Sequence, residues 1–103
     1  MKIEVRRTRL HVEVVLIGLD FDVWASGGYA FNVSQIEVTY ANEDDGTMQV
    51  VQVSGRGYRR LKGGDLGKQF IRNNWVGWAE VPREVREAAD AAALALIERV
   101  KAA

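Results

Sequence analysis

Cysteine is absent from this chain, and proline and histidine occur once each. Without cysteine there is no disulfide, thiolate zinc site or cysteine nucleophile. One histidine, His11, cannot build a histidine-based metal cluster. Long apolar runs are also missing. The longest, Val14 to Leu19, falls far short of the ~20 residues that a membrane-spanning helix needs. A secretory leader would carry an apolar stretch of ~7–15 residues behind its basic start. Here Glu13 interrupts that stretch and the pattern reads as a strand, so the cytoplasm is the expected location and the sequon Asn32-Val33-Ser34 reads as chance.

What is present is ordinary for a globular domain. The 103 residues fit a single domain spanning 1–103, with 48% hydrophobic and 27% charged residues. The formal net charge is zero, but the charges are segregated. Residues 1–11 carry Lys2, Arg6, Arg7 and Arg9 against Glu4. Residues 12–53 carry seven acids and neither lysine nor arginine, and residues 54–72 carry six basic residues against Asp65. Two arrangements account for this. Either acidic and basic strands lie side by side and pair, Arg56, Arg59 and Arg60 meeting Glu37, Glu43 or Asp44, or the basic segments gather on one face as a polyanion site. The second requires residues 1–11 and 54–72 to share an exposed face.

Strand chemistry fills the first two-thirds. Leu10, Val12, Val14 and Leu16 alternate with His11, Glu13, Val15 and Ile17, and Phe21, Val23 and Ala25 alternate with Asp20, Asp22 and Trp24 in a second short strand after Gly18. Ile3 and Val5 have the opposite parity, so the polar run Arg6–Arg9 hides a bulge or bend. Residues 35–41 and 47–54 form a hairpin around the acidic turn Asn42–Gly46, the second arm continuing through Gly55 and Gly57 toward Leu61. Leu66–Trp75 fits a strand better than a helix. After Pro82 the apolar period changes to 3.6, predicting a helix over 83–100 with Val85, Ala89, Ala92, Leu96 and Val100 inward, Arg83, Arg86, Glu87 and Asp90 outward, and Leu94 exposed. Together these predict an α+β fold: a mostly antiparallel sheet of four to five strands with one C-terminal helix packed on a face.

Candidate chemistry is sparse. Asp20 and Asp22 share one strand face and would suit a metal or a shared proton, but no third ligand is apparent. Residues 63–69 lack the first glycine and the hydroxyl of a phosphate-binding loop. The Asn42–Gly46 turn lacks the alternating ligands of a calcium loop. His11 has no visible nucleophile beside it. No catalytic, metal or cofactor residue is therefore assigned. The distinctive stretch is Gly55–Gly64, where Arg56, Arg59, Arg60 and Lys62 flank Tyr58: cations for phosphates and a ring for a base. Trp75 and Trp78, around Gly77, form a second candidate contact, tryptophan being enriched at binding hot spots.

Val51-Gln52-Val53-Ser54-Gly55, then Arg60-Leu61-Lys62-Gly63-Gly64-Asp65-Leu66-Gly67, a tryptophan and a Pro-led final helix together resemble a pattern in small uncharacterised proteins of actinobacteria and actinobacteriophages. The resemblance covers about residues 50–90. It implies a strand after Gly67 and a terminal helix, and carries over neither an activity nor a site residue.

The expected function is that of a small non-enzymatic binding module, phage-encoded and acting on a host or phage protein. The alternative is a nucleic-acid-binding accessory protein using residues 56–62. A homodimer is expected, with Leu94, Trp75 and Trp78 forming an apolar patch, and no membrane association is expected.

Overall fold

The alternating segments assemble into one five-stranded antiparallel meander in the computed structural model, which describes residues 1–24, 28–42 and 47–102. The strands are β1 (Lys2–Arg7), β2 (His11–Trp24), β3 (Ala30–Asn42), β4 (Met48–Arg60) and β5 (Leu66–Trp75), in that spatial order. A short 3-10 turn, Trp78–Glu80, leads into α1 (Arg83–Ala102). The α+β architecture is as expected, including the strand at 66–75 and the helix after Pro82. The carbonyl of Pro82 accepts the amides of Val85 and Arg86, each at 3.0 Å, and so starts the helix.

Several local expectations are corrected. The two strands predicted over 10–17 and after Gly18 are one strand, β2, broken in register between Ile17 and Phe21, with Ala25 outside the described residues. Leu10 lies in the β1–β2 turn and is exposed. That turn, closed by the Thr8 amide on the His11 carbonyl at 2.9 Å, is the bend of the two alternatives expected for Arg6–Arg9, and it returns Ile3 and Val5 to the face of Leu16 and Val14. The turns at Ser26–Gly27 and Glu43–Gly46 lie outside the described residues.

Bulges decide which side chains reach the core. In β3 the buried apolar residues are Ile36, Val38 and Tyr40, then Phe31 and Val33: parity switches at the Ser34 irregularity. β2 switches between Ile17 and Phe21, and β4 switches at Val51. Each switch keeps the apolar row continuous along a strand twice the usual length. Gly57 permits the packing of β4 on β3, since a Cβ there would overlap the Asn32 carbonyl oxygen.

Ala89, Ala93 and Ile97 of α1 complete the core over β1 and β2. The stripe is rotated from the expected one. Small alanines at every fourth position sit closest to the sheet, Val85, Ala92 and Leu96 flank them, and Val100 is exposed. Arg86, expected outward, is half-buried, its Nε shielded and without a partner among the described residues. Leu94 is exposed as expected. Tyr40, 1% exposed, donates its hydroxyl to Asp90 at 2.7 Å and pins the helix to β3.

Helix and sheet differ in length. The 20 residues of α1 span about 30 Å at ~1.5 Å per residue. The 14 residues of β2 span about 46 Å at ~3.3 Å per residue, in a molecule 52 Å long. One end of the sheet therefore extends past the helix.

Candidate functional site

At that uncovered end, the close of β2, the start of β3, the close of β4 and the start of β5 meet. Register dictates the meeting: Val23 lies opposite Phe31 and Phe31 opposite Arg59, while Trp24 faces Ala30 and Arg60 faces Leu66. A groove of about 660 Å³ opens there, lined by Trp24, Tyr29, Arg59, Arg60, Lys62 and Lys68, with Ala30 and Leu61 as apolar wall. Among the described residues, no helix residue and no carboxylate lines it. Its volume falls in the range of small-ligand clefts, ~300–1,000 Å³. Gly67 lets β5 approach, since a Cβ there would stand 3.2 Å from the Arg59 carbonyl oxygen.

The four cations are held differently. The Arg59 guanidinium lies 4.6 Å from the Tyr29 ring centroid, a cation–π contact that orders it without using its N–H groups. Arg60 is committed: Nε and one terminal nitrogen donate to Asp22 at 2.9 and 3.1 Å, and the other terminal nitrogen donates to the Gly64 carbonyl at 2.6 Å. It fixes the turn that carries Lys62. Lys62 and Lys68 are exposed and have no ion pair among the described residues. Setting Arg60 against Asp22 leaves Arg59, Lys62 and Lys68 as uncompensated charges.

The aspartate pair is accounted for by an amide. Asn32, 6% exposed, donates its Nδ2 hydrogens to Asp20 at 2.8 Å and Asp22 at 2.9 Å. The Arg60 guanidinium and then the Asn32 amide hold the Asp22 carboxyl below the usual carboxylate range. No three histidine, cysteine, aspartate or glutamate side chains converge among the described residues. The His11 backbone amide donates to the Thr8 hydroxyl oxygen at 3.1 Å in the first hairpin turn.

The predicted binding residues separate. Arg59, Arg60 and Lys62 line the groove. Arg56 and Tyr58 share the opposite face of the sheet from the helix, Arg56 across from Gln35 and Tyr58 across from Asn32. One side of the Tyr58 ring meets Phe70, centroids 5.2 Å apart. Trp75 lies on that same face opposite Ser54 and is 65% exposed, whereas Trp78 packs half-buried on the core side. The patch expected from Leu94, Trp75 and Trp78 is therefore split: Leu94 and Trp78 border one hollow with Tyr40, and Trp75 is elsewhere.

The expected pairing of arginines with Glu37 is corrected by register. Glu37 faces Ser54, and Arg60 finds Asp22 instead. Glu43 and Asp44 lie outside the described residues. The basic segments 1–11 and 54–72 occupy opposite edges of the meander, separated by β2 and β3, so β1 adds nothing to the groove. Trp24, Tyr29 and Lys68 were not singled out from the sequence. Only the pairing of the β2 end and the β3 start with the end of β4 would have found them.

No family model, curated protein or solved structure matches the chain. No helix among the described residues is long and apolar enough to cross a membrane.

Proposed function

We propose that the protein is a non-enzymatic binding module acting in the cytoplasm, and that its working surface is this groove, which takes a polyanion. The observation that carries the reading is the lining: four cations and two aromatic rings around about 660 Å³, with no carboxylate among the described lining residues. The nearby carboxylates best placed for acid–base work, Asp20 and Asp22, are engaged by Asn32 and Arg60. The test is retention on a heparin matrix at pH 7.5. With a sequence pI near 6.6 the whole molecule is not cationic there, so retention requires a local basic surface. The expected result is retention at low salt and earlier elution of the Lys62→Glu/Lys68→Glu variant. Flow-through of the unaltered protein at low salt would overturn the reading.

A second reading, a protein partner of host or phage origin or a second copy of the chain, is favoured by one observation. Trp75 and Phe70 are both exposed on β5, the last strand in the sheet order.

A further inference from the structure

We infer that the ligand of the groove is a single-stranded nucleic acid, with a base stacked on Trp24 and the adjoining phosphates neutralised by Arg59, Lys62 and Lys68. The inference rests on the polyanion reading above and narrows it to one class of ligand.

Three observations select this class. Trp24 is the most exposed large hydrophobic side chain among the described residues, at 69%, and it stands on the groove wall. An isolated cation site for an acidic surface needs no such ring, whereas every unpaired base offers a face to it. Beside it, Arg59 stacked on Tyr29 presents a flat guanidinium whose N–H groups have no partner among the described residues, a geometry suited to phosphate oxygens. Further rings, Tyr58 and Phe70, lie together on β4 and β5, the strands that carry Arg59 and Lys68, outside the groove lining.

Duplex is disfavoured by what the fold places elsewhere. Reading a duplex requires an element that enters a groove, usually a basic helix. The one helix, α1, balances Arg83, Arg86, Arg99 and Lys101 against four acids and buries one face on the sheet. Bases inside a duplex are already stacked and cannot use Trp24.

The test is fluorescence anisotropy of labelled 12-mers of oligo(dT) and oligo(U), with a 12-base-pair duplex and poly-glutamate as competitors. Single strands should bind at least tenfold more tightly than duplex, and poly-glutamate should not compete. With three phosphates neutralised, log K should fall with log salt at a slope of about −2 (~0.7 per phosphate on single strands). Trp24→Ala should weaken binding about tenfold or more with its slope unchanged, in line with stacking losses on alanine substitution. Lys62→Glu/Lys68→Glu should weaken binding and flatten the slope. Preference between the two oligomers identifies DNA or RNA as the source. Equal binding of duplex, effective competition by poly-glutamate, or an unchanged affinity in a folded Trp24→Ala protein would overturn the inference while leaving the polyanion reading intact. Absence of binding to every polyanion, heparin included, would overturn both.

Discussion

Replacing Tyr40 by phenylalanine should produce a stability difference that changes size with pH and vanishes in alkali. The substitution keeps the ring, which is fully packed in the core, and deletes only the hydroxyl that donates to Asp90 at 2.7 Å. A hydrogen bond to a charged acceptor contributes ~1.5–3 kcal/mol when buried. Asp90 is exposed and regains water when its donor is lost, which lowers the expected cost at pH 7 to about 1 kcal/mol. Burial first, and the Asp90 carboxylate second, push the Tyr40 phenol well above its usual range. An acid whose folded pKa is raised stabilises the fold fully below its unfolded value, about 10, and progressively less as pH rises from there toward the folded value. At pH 11 the unfolded chain has released this proton and the folded chain has not. The wild type therefore loses about 1.4 kcal/mol, one pH unit at ~1.36 kcal/mol, that the phenylalanine variant does not lose. The two stability curves should meet between pH 10 and 11. Urea denaturation of both proteins at pH 7, 9, 10 and 11 measures this. Parallel curves across the range, or a variant as stable as wild type at pH 7, would refute the reasoning.

Three further outcomes follow from the same contacts. Asp22→Asn should flatten the acid limb of the stability curve: the depressed carboxyl stabilises above the unfolded value of ~3.9 and loses that contribution as pH falls through its lower folded value. Urea midpoints at pH 2–5 should show an effect under ~1 kcal/mol, because the pair is partly exposed. Gly57→Ala should cost about 3 kcal/mol or leave the protein unfolded by circular dichroism, since the new Cβ meets the Asn32 backbone and not a movable side chain. Sedimentation at high concentration should show a dimer that Trp75→Ala weakens, because Trp75 lies exposed on β5 at the edge of the sheet; a monomer mass throughout would remove the self-association reading.

The architecture was legible because its signals are local. Period-two alternation marked β2, β3 and β4, and Pro82 followed by a period of 3.6 marked α1. Residues 66–75 read as a strand rather than a helix, and the resemblance implied the same strand after Gly67. What escaped was the consequence of irregularities. An extra residue at Ser34 or Val51 leaves hydropathy almost unchanged, yet it reverses which face every later side chain joins. The helix stripe was misjudged by about one position because large residues mark an apolar face in sequence, whereas close packing on a sheet favours Ala89 and Ala93. At the groove, the density of cations around Tyr58 announced Arg59, Arg60 and Lys62. It could not announce that Arg60 is engaged by Asp22, that Tyr58 meets Phe70, or that Trp24, thirty-odd residues upstream, supplies the open ring. Those facts depend on register across four strands.

Amide and indole chemical-shift mapping decides whether the uncovered end of the sheet is the binding surface. A short oligo(dT) titrated into ¹⁵N-labelled protein should shift the Trp24 indole and the amides of residues 28–30, 59–62 and 67–68 together. The β1–β2 turn and α1 should stay unmoved. Shifts centred on residues 7–11 or on the helix, with the Trp24 indole unchanged, would contradict it.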